Sequence, residues 1–125
     1  MTIQAYSKAK DGNKKLSANF KVKEFACTDG SDPIFIDSDL VTVLQKIRNH
    51  FGKAVTITSA YRTPTRNKAI GGTTYSQHMY GRAADIKVKG VGSDMVEKFF
   101  HNSESAVLFP EFVSRVVRQG MEEGS

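Results

Sequence analysis

The clearest periodic pattern in the chain is a stripe of apolar residues at helical spacing in its first half. The residues of this stripe are Leu40, Val41, Leu44, Ile47 and Phe51. Asp37 or Ser38 precedes the stripe and can cap a helix, and Gly52 follows it where a C-terminal glycine belongs. The pattern therefore predicts a helix between Asp37 and Gly52.

Two later stretches alternate apolar and polar residues and predict β-strands at residues 54–58 and 84–89. Between them, Thr63-Pro64 opens a short helix with proline at its first position, and Gly71-Gly72 ends it. Because few strands are interspersed with helices, the order predicts an α+β domain with a small, mostly antiparallel sheet packed with helices.

The last third of the chain predicts two further helices. Ser93 can cap a helix that runs through Phe100, and Pro110 can begin another. The apolar side of this last helix would consist of Phe112, Val113, Val116 and Val117.

The chain divides by these patterns into a flexible leader at 1–18, a core at 19–90 and a helical tail at 91–125. The core opens with an extended segment at 20–22 and a short helical turn that leads to Cys27, followed by a turn at 29–33. A lone cysteine excludes an internal disulfide, so Cys27 is expected to fill a small buried space.

The net charge of +5 narrows the classes of partner. A basic protein favours nucleic acid, anionic lipid or bacterial cell wall, although a solvated basic surface explains the charge as well. No basic cluster is interleaved with aromatic residues, and the apolar runs are short, so neither a nucleic-acid partner nor a membrane span is expected. Residues 1–15 contain no apolar secretory segment, so we expect synthesis in the cytoplasm.

The segment Ser76–Asp85 contains an imidazole and a carboxylate that are seven positions apart, with Gly81 between them. His78 and Asp85 are ligand types that suit Zn²⁺. We expect a loop that delivers His78, reverses at Gly81 and enters a strand whose first inward residue is Asp85. The alternative is a surface histidine beside an aspartate that caps the strand.

Arg62 follows the first predicted strand and precedes the proline-started helix, a place where active-site loops are often built. Its planar guanidinium can hold a substrate carboxylate or a carbonyl oxygen that gains negative charge. The alternative for Arg62 is a surface ion pair.

These two segments together resemble the M15 zinc peptidases, which include D-Ala-D-Ala carboxypeptidases and dipeptidases and the peptidoglycan endopeptidases of phage endolysins. The family motifs are Ser-Gly-Tyr-Arg and Ser-x-His-x-x-Gly-x-Ala-x-Asp, and Ala60 replaces the glycine of the first. The resemblance extends from Phe20 to Gly90 and is greatest to small phage-like members, in which a segment like Phe20–Cys27 opens the domain.

The resemblance implies a role for each motif residue. His78 and Asp85 match two ligands of a Zn²⁺ cofactor, Arg62 matches the arginine that binds substrate and stabilises the transition state, and Ser76 matches the motif serine at the substrate site. It also implies zinc-dependent hydrolysis of peptide bonds in the stem or cross-link peptides of peptidoglycan. Such an enzyme would reach the cell wall after lysis or as part of a virion.

The third ligand in this family is a histidine on a later strand, often within His-x-Asp, and a catalytic acidic residue lies nearby. Neither pattern follows Gly90; His101, with Glu104, is the remaining candidate. The tail at 94–121 instead weakly resembles a segment of tailed-phage major capsid proteins. The C-terminal part of the peptidase is therefore expected to be truncated or replaced.

Two alternatives to a complete site in one chain follow from the absent third ligand. One is an inactive, truncated or fused relative that binds cell wall or belongs to a virion. The other is a second chain that supplies the missing ligand.

Overall fold

The computed structural model describes residues 3–72, 74 and 76–101, and the backbone of 113–116. Its helices and strands, in chain order, are β1 Ile3–Ser7, α1 Lys8–Asp11, β2 Lys15–Ser17, β3 Phe20–Lys21, β4 Pro33–Asp37, α2 Ser38–Phe51, β5 Val55–Ser59, α3 Pro64–Ala69, β6 Ala84–Val88, α4 Ser93–His101 and β7 Val113–Val116. Two 3₁₀ turns, Val22–Phe25 and Gln77–Tyr80, lie between them. The predicted α+β class is confirmed.

The strands form three small sheets, which are mostly antiparallel, as predicted. β1 pairs with β4 and β2 with β3, both antiparallel. β6 is the central strand of the third sheet, with β5 antiparallel on one side and β7 parallel on the other. This third sheet presents the ends of β5 and β6 that lead to the candidate functional residues.

Helix α2 packs against β2, β4, β5 and α4. Asp37 caps its N-terminus through a bond from the backbone N–H of Asp39, and Gly52 ends it in the left-handed conformation. The apolar residues it buries are Leu40, Val41, Val43, Leu44 and Ile47. Each fully buried aliphatic side chain contributes about 2 kcal/mol of transfer free energy, so this stripe accounts for much of the core.

The predicted boundaries of the central elements are nearly correct. The structure has α2, β5, α3 and β6 where the sequence predicts them, and α4 begins at Ser93. Cys27 is buried with a free thiol, as expected. No helix in the described part of the chain has the length and apolar character to cross a bilayer.

The structure differs from the sequence expectation at both ends of the chain. Residues 3–17, expected as part of a flexible leader, form β1, α1 and β2, because β1 finds a complete antiparallel partner in β4. Val113–Val116, expected as helix, is the parallel strand β7. Valine is compatible with a helix or a strand in this segment. The strand forms because the edge of β6 that β5 leaves unpaired offers it hydrogen-bond partners.

Candidate functional site

His78 is held at the site by three hydrogen bonds from two neighbouring segments. Its ring Nδ1 lies 2.7 Å from the carbonyl oxygen of Ala60, and its own carbonyl accepts from the N–H of Arg62 at 3.0 Å. Ser76 caps the turn that carries it, with its hydroxyl oxygen accepting from the His78 N–H at 3.3 Å. Since a carbonyl oxygen can only accept, Nδ1 carries a proton, and Nε2 is the ring nitrogen that remains to bind a metal.

Gly81 reverses the chain after His78, as predicted, and has φ of 72°. A side chain there would overlap the backbone carbonyl of Phe35, so the position requires glycine for space as well as for conformation. The Gly81 carbonyl accepts from the N–H of Asp37 at 2.9 Å. The loop that carries His78 is thereby tied to the end of β4 and the start of α2.

Asp85 lies on the face of β6 that points away from the core, so the expectation that it is the first inward residue is wrong. Ala84, Ile86 and Val88 are buried in the hydrophobic core, whereas Asp85 is partly exposed. On the opposite face, the Asp85 carboxylate approaches His78.

The carboxylate of Asp85 lies between the two other predicted site residues. Its Oδ1 is 3.5 Å from Nε2 of His78, and its Oδ2 is 3.5 Å from a terminal nitrogen of Arg62. The Nε of Arg62 also donates to the hydroxyl of Ser59, at 3.3 Å. The structure thus brings Arg62, Ser76, His78 and Asp85 together, and Arg62 forms an ion pair within the site rather than on a remote surface.

The His78 and Asp85 side chains fit one edge of a tetrahedral zinc site. Nε2 faces a carboxylate oxygen of Asp85, and a cation between these two atoms would bind both. Ligand atoms at about 2.1 Å from zinc and at the tetrahedral angle are roughly 3.4 Å apart. The observed separation of 3.5 Å agrees with that value. The Nδ1 bond to Ala60 is the kind of outer contact that orients a metal-binding imidazole.

The structure does not bring His101 to this pair. His101 is the exposed last residue of α4, and its ring packs on that of Phe100. Within the described residues, no group of three or more His, Cys, Asp or Glu side chains is placed to hold a metal. Glu104 lies outside the described residues. The described strand after Gly90 is β7, whose residues are valine, serine, arginine and valine, so it carries no histidine.

Sequence reasoning missed the residues that position the site. Ala60, which replaces the glycine of the family motif, orients His78 through its backbone carbonyl. A backbone contact of this kind does not depend on the residue type, so the sequence does not indicate it. Arg82 places its Nε 3.5 Å from the Oδ2 of Asp37, a carboxylate with no exposed surface. A charged residue between Gly81 and two alanines is evident in the sequence, but the partner of Arg82 could not be predicted because it lies 45 residues earlier.

Asp29 anchors the other side of Arg62 through the next residue along the chain. The hydroxyl of Thr63, which caps α3, donates to Asp29 Oδ2 at 2.8 Å, and the Ser31 N–H donates to Oδ1 at 2.9 Å. Hydrogen bonds from Ser31 and Thr63 lower the pKa of the Asp29 carboxyl from its ordinary value of 3.8. Burial raises the pKa of Tyr61, which precedes Arg62, from its ordinary value of 10.0.

A cavity of about 200 Å³ opens beside Arg62. It lies between the end of β5, the residues that follow it and α3, and it is where a substrate group could contact Arg62. A larger cavity, of about 480 Å³, lies between β1, β2 and α2, and none of its described lining residues belongs to the candidate site.

The sequence is similar to known proteins over part of its length. The chain is 44% identical over 57 residues to a zinc D-Ala-D-Ala carboxypeptidase of Streptomyces albus G; the match covers 43% of this chain and 21% of that protein. No solved structure matches significantly. A family model described as Peptidase M15 matches residues 17–114, well over half of the sequence. The chain therefore belongs to the peptidase M15 family.

Proposed function

We propose that the protein is a zinc metallopeptidase that hydrolyses peptide bonds in the stem or cross-link peptides of peptidoglycan. The observation that carries the proposal is the His78–Asp85 pair, whose facing acceptor atoms stand 3.5 Å apart with Arg62 beside them. The partial relative is a zinc D-Ala-D-Ala carboxypeptidase, which supports both the metal and a cell-wall peptide as substrate. The basic net charge of +5 suits an anionic wall.

Each residue of the site has a distinct part in this proposal. His78 and Asp85 would hold zinc, and Ala60 keeps the imidazole in the required tautomer and orientation. Zinc, when bound, lowers the pKa of a water ligand to about 7 and polarises a carbonyl group. Arg62 orients the substrate and stabilises the carbonyl oxygen as it gains negative charge. Its bond to Ser59 and its ion pair with Asp85 fix the direction of the guanidinium.

We further propose a phage or prophage origin, with action at the cell wall after lysis or from a virion. The support is the opening segment Phe20–Cys27, which resembles that of small phage-like members of the family. In the structure this segment forms β3 and a 3₁₀ turn, and its Phe25 carbonyl accepts from the N–H of Tyr61 at 3.1 Å. The segment therefore supports the loop that carries Arg62.

The direct test is cleavage of a purified muropeptide with zinc added, followed by chromatography of the products. Wild-type protein is expected to release peptide products, and a chelator and His78→Ala are each expected to abolish the release. His50→Ala, which removes an exposed histidine on α2, is the matched control and should cleave at the wild-type rate. Failure of zinc-loaded wild-type protein to cleave any stem or cross-link peptide contradicts the proposal.

An inactive M15-like domain that binds cell wall or belongs to a virion is the second candidate. The observation in its favour is that the described residues offer two metal ligands and no third. This candidate requires that wild-type protein and His78→Ala sediment equally with purified cell walls and that neither cleaves muropeptides. Chelator-sensitive turnover by the wild-type protein would exclude it.

A further inference from the structure

The cavity beside Arg62 is lined by a second arginine that no family motif assigns. Arg66, on the first turn of α3, lines the cavity together with Arg62 and Ser59. The volume of about 200 Å³ is smaller than that of a whole ligand pocket, which is typically about 300–1,000 Å³. It suits one end or one side group of a substrate.

The polarity of the cavity selects a negatively charged group. Its described lining residues include two arginines and no aspartate or glutamate; the others are small, hydroxyl-bearing or apolar. The carboxylates near the two arginines already have partners: Asp85 forms an ion pair with Arg62, and Asp29 accepts from the Thr63 hydroxyl. Two arginines that line one cavity can direct their guanidinium groups to the same carboxylate and bind it through short, charge-assisted hydrogen bonds.

The backbone of Arg66 is held by the residue that caps α3. Its backbone N–H donates to the Thr63 hydroxyl at 3.1 Å, and that hydroxyl donates in turn to Asp29 Oδ2 at 2.8 Å. Arg62 and Arg66 thus lie on either side of a cap that is bonded to a separate loop. This anchoring fixes the backbone from which both arginine side chains extend.

We propose that Arg66 is a substrate-binding residue and that, with Arg62, it forms a subsite for a carboxylate of the substrate peptide. The inference rests on the proposed function, because it assigns the substrate group that lies next to the metal pair. The carboxylate can be the terminal α-carboxylate of a peptide that ends beside the scissile bond. It can also be the free carboxylate of a γ-linked glutamate within the stem peptide.

The test measures binding rather than turnover, by NMR titration of the folded protein with two matched pairs of peptides. One pair is N-acetylated D-Ala-D-Ala and its C-terminal amide; the other is a γ-linked glutamyl peptide and its form with an amidated α-carboxylate, both with blocked termini. The free carboxylate form of one pair should bind about tenfold or more tighter than its amide, because a hydrogen bond to a charged group strengthens binding by that order. The pair that shows the difference identifies which carboxylate the subsite takes.

Variants then assign the discrimination to Arg66. Arg66→Gln should reduce the preference for carboxylate over amide to less than about twofold, and Arg66→Lys should retain part of it, because lysine keeps the charge but not the fork. Lys68→Gln is the matched control, since Lys68 is exposed on the same helix and does not line the cavity. It should discriminate as the wild-type protein does.

The outcomes separate this inference from the proposed function. Equal binding of carboxylate and amide by the wild-type protein in both pairs, or unchanged discrimination in Arg66→Gln, overturns the subsite even if the enzyme is active. Carboxylate-selective binding that depends on Arg66, in a protein that cleaves no muropeptide, supports the subsite and contradicts the peptidase. If Arg66→Gln does not fold, judged by its NMR spectrum, the reduced discrimination of Arg66→Lys decides.

Discussion

At the scale of single residues, the site is a carboxylate shared between a histidine and an arginine. The motif spacing predicted that His78, Asp85 and Arg62 belong together, and the structure places them in contact. It did not predict the face of β6 on which they meet. Alternation shows which residues share a face, but Ala84 and Asp85 are each compatible with the core side until the packing of α2 is known.

The acid limb of the stability curve tests the anchoring of Arg62 by Asp29. Because the pKa of Asp29 is lowered in the folded protein, its contribution to stability is present above the ordinary pKa of 3.8 and is lost as the pH falls towards the lower folded value. Asp29→Asn should therefore reduce the free energy of unfolding at pH 7 and make its fall below pH 4 shallower. Urea unfolding across this pH range measures both effects, and parallel curves for the two proteins would contradict the account.

At the scale of elements, the caps and the reversals were readable from sequence, whereas the pairing of short strands was not. Asp37, Gly52 and Gly81 each carry a local signal that the structure confirms. Strands β4 and β7 were missed because each is short and defined by its partner in the sheet. The edge of β6 and the complementary strand β1 lie far from them in sequence.

Gly81 offers a test of the loop that carries His78. Gly81→Ala should lower the free energy of unfolding by about 3 kcal/mol or more, because it combines positive φ with an overlap against the Phe35 carbonyl. Gly71→Ala is the matched control: Gly71 has nearly the same φ, of 74°, but has nothing within 4 Å of the added carbon. It should cost about 1–2 kcal/mol from backbone conformation alone. Equal losses in urea unfolding would show that the close approach of the two loops is incorrect.

The buried Asp37 connects α2 to the same loop, and two substitutions separate its contacts. Oδ1 accepts from Asp39 N–H at 2.8 Å, and Oδ2 lies 3.5 Å from Nε of Arg82. Asp37→Ala removes both contacts and should lower the free energy of unfolding by about 3 kcal/mol. Asp37→Asn keeps the cap, so its loss should be smaller by about 1 kcal/mol. Equal losses for the two variants in urea unfolding would show that the cap does not contribute measurably to the free energy of unfolding.

At the scale of the whole molecule, the folded unit is larger than the motif-bearing segment. The family match continues to residue 114, through α4 and into β7, although the motifs end at Asp85. At the other end, β1 adds a strand to β4, which leads directly into α2. Helix α4 was predicted from its pattern, but β1 and β7 carry no pattern strong enough to reveal them as strands, because each depends on contacts between distant parts of the chain.

Removal of residues 1–7 tests whether the N-terminal segment belongs to the fold. Five residue pairs join β1 to β4, so the truncated protein should lose stability, with a melting temperature lower by about 5 °C or more. The measurement is thermal unfolding followed by circular dichroism. A truncated protein with an unchanged melting temperature would show instead that the segment is a loose leader.

The central claim is that His78 and Asp85 form a zinc site, and the most direct measurement is the zinc bound per chain. Calorimetric titration of the purified protein, with metal analysis after dialysis, gives the stoichiometry and the affinity. The account predicts one zinc per wild-type chain and an affinity more than about 100-fold weaker in His78→Ala, since a lost ligand costs more than a lost outer contact. A wild-type chain that binds no zinc, or a His78→Ala variant that binds it equally well, would contradict it.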